Sequence, residues 1–259
     1  MTDEARARAA TLLPRLAELR RAADHAAQSP GFGAALRSRE VAVIAEIKRS
    51  SPSRGVINLD LRVEQQVAAY EDGGAEAISV LTEPTRFSGS NEDLTSARAV
   101  ARVPLLKKDF HVEAVQLLEA KALGASAALV IVRAVNPTRL RDLIEVGRDI
   151  DLEILVEIRD EAELDLALSL GAGLIGVNNR NLETLEIDAE TSTRLLPLIP
   201  RYVVAVAESG VKSADDVQRL AAIGADAVLV GSAISASSQP EAAVRALTGV
   251  ARTGGARKG

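Results

Sequence analysis

The stretch Val41-Ala-Val-Ile-Ala-Glu-Ile-Lys-Arg-Ser-Ser-Pro-Ser-Arg-Gly55 is the starting point for interpreting this chain. Its first half is a nearly continuous apolar run, which is typical of a strand buried on both faces of a parallel sheet. Glu46 and Lys48 follow, and because side chains alternate along a strand, these two charges share one face. Burying opposite charges at the end of a strand costs free energy, so such charges are expected to pair with each other or to take part in function. The pattern fits either a structural ion pair or the edge of a polar site. The serine-rich turn that follows can bind an anion through its hydroxyl and backbone N–H groups.

Beyond residue 41 the chain alternates between short apolar segments and longer amphipathic ones. The predicted strands are Val41–Ile47, Ala77–Leu81, Pro104–Lys108, Ala127–Val132, Leu152–Ile158, Leu174–Val177, Tyr202–Ala207 and Ala227–Val230. The predicted helices are about Leu61–Asp72, Asn91–Ala101, Val112–Leu123, Pro137–Arg148, Glu161–Leu170, Ala189–Leu196, Ala214–Ile223 and Glu241–Leu247. Four of these helices run into a Gly-Ala step, which suits a left-handed helix C-cap before the next strand and marks an internal repeat.

Eight strands in strict alternation with eight helices predict an α/β protein with a (β/α)8 TIM barrel fold. An open doubly wound sheet is the alternative, but no G-x-G-x-x-G motif follows the first strand. We expect one domain over residues 1–259, with an N-terminal helical extension over about residues 1–35. Within that extension, a helix is predicted from Thr2 to about Ser29, and residues 252–259 are predicted to form a disordered tail.

The composition excludes several classes of site. The chain has no cysteine, which excludes disulfides and thiolate chemistry, and its only histidines are His25 and His111, which disfavours a multi-histidine metal site. A formal net charge of -5 argues against a nucleic-acid surface. No apolar run is long enough to span a membrane, and no signal-peptide core stands at the N-terminus. We therefore expect a cytoplasmic enzyme without nucleic-acid or membrane partners.

Polar side chains stand at the carboxyl ends of six predicted strands, where barrels of this class carry their active sites. They are Glu46, Lys48, Lys108, Glu157, Asn178, Arg180, Glu208, Ser209 and Ser232. Lysines and glutamates whose pKa values are moved toward neutrality can act as general acids and bases. Convergence from six strands favours a catalytic site over a purely structural ring, because each group would have to be desolvated at the mouth of the barrel.

Small residues follow the last two strands, where barrels of this class bind phosphate. Gly210 follows the seventh strand, and Gly231 with Ser232 follows the eighth. Two of the three phenylalanines, Phe87 and Phe110, also lie just after strands. They can form a wall for a flat apolar ring, although simple loop packing explains Phe87 equally well.

Five segments together resemble the indole-3-glycerol-phosphate synthase family of tryptophan biosynthesis. They are Ala45-Glu-Ile-Lys-Arg-Ser-Ser-Pro-Ser-Arg-Gly55, Ser79-Val-Leu-Thr-Glu-Pro-Thr-Arg-Phe-Ser-Gly-Ser90, Leu106-Lys-Lys-Asp-Phe110, Gly176-Val-Asn-Asn-Arg-Asn-Leu182 and Ala207-Glu-Ser-Gly210. The resemblance runs from the N-terminal helix, which in that family helps to cover the substrate, to the eighth strand. It implies conversion of 1-(2-carboxyphenylamino)-1-deoxyribulose 5-phosphate to indole-3-glycerol phosphate, carbon dioxide and water.

The resemblance also implies roles for the site residues. Lys108 is the expected acid in ring closure, Glu157 the base and Lys48 the second acid, with the division of proton transfer between the two lysines left open. Glu46 is expected to position them or share in proton transfer, and Asn178 and Ser209 complete the expected catalytic set. The expected substrate-binding residues are Ser51, Gly210, Gly231 and Ser232 for the phosphate, Arg180 and Glu208 for other oxygens, and Phe87 and Phe110 for the aryl ring.

No metal or organic cofactor is implied. We expect a monofunctional, monomeric enzyme that acts on a small phosphorylated substrate and associates at most weakly with other enzymes of the tryptophan pathway. The sequence departs from the family pattern at Ser232, where an acidic residue is common, and at Ile234-Ser-Ala-Ser-Ser238, which replaces a more apolar stretch.

Three other functions compete with this one. The first is an aldolase-type barrel that uses Lys108 or Lys48 as a Schiff-base nucleophile. The second is a phosphosugar isomerase, which shares the phosphate site but needs no aryl slot. The third is an inactive barrel that binds a metabolite or a partner, which the number of charged groups at the strand ends disfavours.

Overall fold

The computed structural model describes residues 2–181, 184–253 and 257 of the chain. Within them, eight parallel strands close into a barrel in which each strand pairs with its neighbours in the sequence, and the first strand also pairs with the last. The strands are β1 (Ala42–Ile47), β2 (Ala77–Leu81), β3 (Leu105–Lys108), β4 (Ala127–Ile131), β5 (Glu153–Ile158), β6 (Leu174–Asn178), β7 (Val204–Glu208) and β8 (Ala227–Val230). The closed order rules out the open doubly wound sheet.

Helices follow the strands on the outside of the barrel, and others precede β1. They are α1 (Thr2–Leu12), α2 (Leu16–Asp24), α3 (Phe32–Ala35), α4 (Val63–Asp72), α5 (Pro84–Phe87), α6 (Asn91–Val100), α7 (Ala114–Ala122), α8 (Pro137–Asp149), α9 (Glu161–Ser169), α10 (Glu190–Leu195), α11 (Ala214–Ala222), α12 (Ser232–Ser235) and α13 (Pro240–Arg245). Every predicted strand and helix has a counterpart, with ends that differ by a few residues. A short antiparallel hairpin follows β1, in which the two-residue strand Ser50–Ser51 pairs with Gly55–Val56.

The prediction of one continuous N-terminal helix over residues 2–29 is wrong. Pro14 lies in a short 3-10 turn, Leu13–Arg15, that separates α1 from α2, and α2 ends at Asp24. Proline lacks the N–H that a helix interior needs, and its ring crowds the preceding turn. The break lets the two helices serve different surfaces: α2 packs along α7, while α1 lies against the loops at the carboxyl end of the barrel.

Alternation along the strands builds two apolar layers. On β1, Val43 and Ala45 pack outward in the layer shared with the helices, whereas Ala42 and Ile44 pack into the barrel interior. Phe32, from α3, belongs to the interior layer and closes the amino end of the barrel. The interior face continues toward the carboxyl end with polar side chains, so each inward strand position past the apolar layer is available to the site.

The C-terminal segment was predicted to be disordered over residues 252–259, of which 254–256 and 258–259 lie outside the described residues. The described residues of this segment make defined contacts instead. Arg252 and Arg257 both pair with the buried carboxylate of Asp226, Arg257 at 2.5 Å. A buried carboxylate needs such partners, which explains why these arginines are held. In the described part of the chain, no helix is long and apolar enough to cross a bilayer.

Candidate active site

A cluster of buried charges fills the carboxyl end of the barrel interior. Glu46 on β1 lies 2.5 Å from Lys48, measured from Oε1 to Nζ, and its other oxygen lies 3.4 Å from Lys108 Nζ. The ammonium of Lys108, at the end of β3, also lies 3.3 Å from Glu208 Oε2 at the end of β7. Glu46 and Glu208 are each only 1% exposed. The structure therefore brings four of the sequence-predicted residues into one ion-pair chain.

Glu157, on β5, completes the ring of carboxylates. It is buried, and its Oε1 has no hydrogen-bond partner among the residues that the structure describes. Its charge acts on both Lys108 and Glu208, which places it electrostatically in the same cluster. A buried carboxylate oxygen with no donor is uncommon in a folded protein, which makes Glu157 a candidate for a functional role.

The cluster separates the pKa values of its members. Burial opposes the charge of Lys108, but Glu46, Glu208 and Glu157 outweigh it and raise its pKa, so the ammonium keeps its proton. Burial also opposes ionisation of Glu46, yet Lys48 and Lys108 lower its pKa. Glu208 behaves differently: burial raises its pKa to about 7, although Lys108 acts in the other direction. Three carboxylates thus face two ammonium groups, and Glu208 holds a proton more readily than Glu46.

Two glycines in the barrel wall make room for these carboxylates. A Cβ on Gly231, just after β8, would lie 2.2 Å from Glu46 Oε1 and 3.0 Å from Lys48 Nζ. A Cβ on Gly176 in β6 would lie 2.2 Å from Glu208 Oε1. The contacts with the two carboxylate oxygens are shorter than real contacts of this kind, so only glycine allows the carboxylates their observed positions.

Asn178 and Ser209 form a polar bridge between β6 and β7. Asn178 Oδ1 accepts hydrogen bonds from Ser209 Oγ at 3.0 Å and from the backbone N–H of Arg180 at 2.9 Å. Asn178 also lies opposite Glu208 in the pairing of the two strands. The guanidinium of Arg180 donates to the carbonyl of Leu185 at 2.7 Å. Burial and the nearby Arg54 lower the pKa of Arg180, so two guanidinium groups face the same space.

The loops after β7 and β8 border a cavity of about 90 Å³ beside Lys48 and Lys108. Ser209 and Gly210 both have positive φ, 67° and 96°, a conformation that residues other than glycine rarely adopt. Such strain in a non-glycine residue is characteristic of functional sites. Gly231 and Ser232 border the cavity from the other side. Of the predicted phosphate residues, these loops bring Gly210, Gly231 and Ser232 together.

The cavity also contains residues that sequence reasoning missed. Arg54 and Lys212 contribute to its lining, and Arg54 donates a hydrogen bond to the carbonyl of Ser232 at 3.2 Å. Arg54 stands within the serine-rich turn, so its charge was visible in the sequence, but its direction depended on the fold of the hairpin. Ser51 does not contribute to this lining: it is buried in the hairpin, and its hydroxyl has no hydrogen-bond partner in the described part of the chain.

Comparison with known proteins identifies the family. Residues 3–247 match the family model described as indole-3-glycerol phosphate synthase. The chain belongs to the indole-3-glycerol phosphate synthase family. A synthase of this name from Mycolicibacterium gilvum is 46% identical over 229 residues, which cover 88% of this chain and 84% of the relative. The corresponding protein of Streptomyces griseus is 48% identical over 229 residues, covering 88% and 85% of the two chains.

Solved structures of low identity show the barrel fold alone. A thiamine phosphate pyrophosphorylase from Pyrococcus furiosus superposes with a TM-score of 0.62 at 18% identity, covering 82% of this chain and 95% of that chain. KGPDC from Streptococcus mutans gives a TM-score of 0.61 at 13% identity, covering 80% of this chain and 95% of that chain.

In this synthase-family chain, two buried hydroxyl groups join the loop after β8 and helix α4 to the end of β1. Ser235 in α12 donates a hydrogen bond to the backbone carbonyl of Glu46 at 2.8 Å, and the hydroxyl of Tyr70 in α4 donates to the same carbonyl at 3.1 Å. Both side chains are buried. Ser235 thus ties the eighth loop to the end of β1.

Phe110 and Phe87 lie on the same side of the barrel mouth. Phe110 follows β3 and belongs to the apolar layer of the barrel interior, and Phe87, at the end of α5, packs against that layer. Neither ring lines the cavity beside Lys48 and Lys108, so the structure does not bring these two predicted aryl-binding residues into it. A larger cavity of about 600 Å³ lies at the amino end of the barrel, near Gly33, Glu153 and Leu174. Residues at that end of such barrels serve stability, and none of the predicted site residues lines it.

Proposed function

We propose that this chain is a carboxy-lyase that converts 1-(2-carboxyphenylamino)-1-deoxyribulose 5-phosphate to indole-3-glycerol phosphate, carbon dioxide and water. The observation that carries the proposal is the position of the Lys108 ammonium between Glu46 and Glu208, inside a barrel mouth bordered by two small-residue loops. Membership of the synthase family supports the choice of substrate.

In the first step, the ring carbon that carries the carboxylate attacks the ketone carbon of the sugar chain. Negative charge develops on the ketone oxygen, and an acid at that point lowers the barrier. The charges around Lys108 raise its pKa away from neutrality, so in the free protein its ammonium stays protonated and can donate a hydrogen bond to this developing charge. Transfer of the proton itself requires substrate binding to lower that pKa. The carbon–carbon bond formed closes the five-membered ring and leaves a hydroxyl on the former ketone carbon.

In the later steps, the carboxylate leaves as carbon dioxide, which restores the aromatic ring. The hydroxyl then leaves as water, with a proton supplied to its oxygen and a proton removed from the neighbouring carbon. We assign the acid to Lys48, which is paired with Glu46, and the base to Glu157, whose Oε1 has no donor among the described residues. Each step needs only proton transfer and stabilisation of charge, which these side chains supply.

Substrate binding uses the remaining groups. We propose that the loops at Gly210 and at Gly231-Ser232, which border one cavity, hold the phosphate. Ser51 does not line that cavity, so its expected contact with the phosphate requires the hairpin after β1 to move. Arg180, Asn178, Glu208 and Ser209 orient the hydroxyl and carboxylate oxygens of the substrate. Phe87 and Phe110 flank the aryl ring, which is the contact that a phosphosugar isomerase would not need.

The test is a fluorescence assay with the carboxyphenylamino-deoxyribulose phosphate. The chain contains no tryptophan, so new indole emission can be assigned to the product. We expect emission to grow with the native protein and not with Lys108→Met. Folded protein that binds the substrate without forming indole would favour the inactive barrel, and reduction with borohydride that traps a covalent adduct would favour the Schiff-base aldolase.

A further inference from the structure

Arg8 attaches the N-terminal helix α1 to two loops of the barrel mouth. Its Nη2 lies 2.5 Å from Asp109 Oδ1, in the loop after β3, and its Nη1 lies 3.5 Å from Glu83 Oε1, in the loop after β2. These carboxylates are 8% and 1% exposed. A single guanidinium therefore neutralises two nearly buried negative charges that come from different loops.

Each of the two carboxylates organises a part of the candidate active site. Asp109 directly follows Lys108, accepts a hydrogen bond from Thr82 Oγ1 at 2.9 Å and caps the backbone N–H of Phe110 at 2.7 Å. Asp109 thus belongs to the backbone segment that carries both Lys108, the proposed acid, and Phe110, one wall of the proposed aryl slot.

Glu83 organises the other wall. It is the N-cap of α5 and accepts hydrogen bonds from the backbone N–H groups of Thr85 at 3.2 Å and Arg86 at 2.7 Å. That short helix ends at Phe87, and a second ion pair, between Arg86 and Glu4 at 2.9 Å, joins it to α1. Glu83 thus links the position of Phe87 to the helix that precedes the barrel.

We propose that Arg8 is a positioning residue that sets the spacing of Phe87 and Phe110 and thereby the width of the aryl slot. This inference rests on the proposed function for its kinetic consequence, although the attachment itself is independent of it. Without the guanidinium, two buried carboxylates would face each other unpaired, and their repulsion would separate the loops. The planar fork of arginine reaches both carboxylates at once, whereas a lysine ammonium acts as one point charge.

The kinetic test compares Arg8→Ala with Arg8→Lys and with Arg6→Ala. Arg6 is a matched control because it lies on the same helix and pairs with the exposed Asp3. We expect Arg8→Ala to raise KM about tenfold with a smaller effect on kcat, because the aryl slot binds ground state and transition state alike. Arg8→Lys should recover part of the loss, and Arg6→Ala should behave as the native protein. A KM for Arg8→Ala equal to that of Arg6→Ala would overturn the proposal.

A second variant tests the electrostatic cause. If repulsion between Asp109 and Glu83 separates the loops, removing one of these two charges should restore part of the substrate binding that the Arg8→Ala variant loses. We therefore expect Arg8→Ala combined with Asp109→Asn to be less impaired than the product of the two single effects. Independent effects that simply multiply would overturn the repulsion argument.

Hydrogen exchange of the intact chain separates this inference from the proposed function. We expect faster exchange at residues 82–90 and 109–112 in Arg8→Ala but not in Arg6→Ala, with the rest of the barrel unchanged. If the native protein lacks synthase activity, this local change still supports the attachment, and its absence overturns it. If Arg8→Ala does not fold, Arg8→Lys decides: a raised KM at an unchanged melting temperature supports the proposal, and a native KM overturns it.

Discussion

Lys107 and Lys108 are consecutive on β3, yet their ammonium groups serve opposite faces of the barrel wall. Lys107 Nζ points outward and lies 2.7 Å from Glu119 on α7, whereas Lys108 Nζ lies 3.3 Å from Glu208 in the interior. Alternation along a strand produces this division, since neighbours on one strand always face opposite sides. The pair offers a comparison in which the same substitution, one residue apart, separates stability from catalysis.

The first prediction concerns Lys108→Met. Loss of the proposed general acid should lower kcat by about 10²- to 10⁴-fold. The melting temperature should change less than in Lys107→Met, because Lys48 still pairs with Glu46 and Glu208, whose pKa is already about 7, can take up a proton when its ammonium partner is removed. Steady-state kinetics and thermal unfolding measure the two effects.

Lys107→Met is the control and should do the reverse. It leaves Glu119 without its partner behind the barrel wall, which should cost about 3 kcal/mol of folding stability. Near-native kcat is expected for the fraction that remains folded. Near-native turnover in Lys108→Met would remove that residue as the acid.

The second prediction concerns the room that glycine leaves for the charged cluster. In Gly231→Ala the new Cβ would collide with the carboxylate of Glu46, so the pair of Glu46 and Lys48 has to shift. A shift of about 1 Å at reacting groups can cost about 100-fold in rate, and we expect a loss of that order in kcat. Gly173→Ala is a suitable control because a Cβ there meets no atom within 4 Å. Equal activity of the two variants would show that the cluster adapts.

The third prediction uses the raised pKa of Glu208. In the folded chain this carboxyl keeps its proton to about pH 7, whereas its ordinary pKa is 4.5. The contribution of this protonated group to the free energy of unfolding is therefore fully present below pH 4.5 and is lost as the pH rises through about 7. Glu208→Gln, a neutral side chain of the same shape, should accordingly gain stability relative to the native protein at pH 8 but not at pH 4.5.

Thermal unfolding at the two pH values measures this difference. A gain of about 2–4 °C in melting temperature is expected for each kcal/mol that the substitution relieves. A melting-temperature difference that does not change between pH 4.5 and pH 8 would mean that Glu208 does not titrate in this range.

The fourth prediction concerns His111, which is buried beside β3 and donates from Nδ1 to the carbonyl of Leu129 at 2.7 Å. Burial and the neighbouring Lys107 lower its pKa to about 4, despite the opposing charges of Asp109 and Glu119. The unfolded chain takes up this proton near pH 6.5, so stability is present above pH 6.5 and is lost as the pH falls toward 4.

His111→Asn keeps a donor for the Leu129 carbonyl and removes the titrating group. Its melting temperature should therefore fall less steeply between pH 6.5 and pH 4.5 than that of the native protein, by about 4 °C over the interval. His25→Asn makes the same substitution at the other histidine of the chain, which is exposed, and serves as the comparison. Parallel slopes for the native protein and His111→Asn would contradict the prediction.

Much of the fold could be predicted because its signals are local. Apolar runs of strand length, amphipathic helices and glycine C-caps each depend on neighbouring residues, and every predicted strand has a counterpart in the barrel. The predicted N-terminal helix is too long because its residues favour a helix almost throughout, whereas Pro14 interrupts it with a 3-10 turn. The ends of β6 and β7 each include one residue beyond the prediction, Asn178 and Glu208, because pairing between strands extends them.

For the site, the sequence predicted which residues take part but not how they are arranged. Glu46, Lys108 and Glu208 were recognised as charges at strand ends, but the distances that join them depend on closure of the barrel. Arg54 and Arg8 were not recognised, since an arginine in a turn or on a helix looks like an ordinary surface charge until the opposing carboxylate or carbonyl is known.

The sequence by itself determined the order of strands and helices, and the residues that stand where each strand ends, because hydrophobic periodicity and turn chemistry act over a few residues. Only the tertiary structure decided which charges meet. Barrel closure brings Glu46 and Glu208 to one ammonium, and the path of α1 brings Arg8 to Asp109 and Glu83. These contacts join residues far apart in the chain, and their pKa shifts arise from burial that only the folded barrel creates.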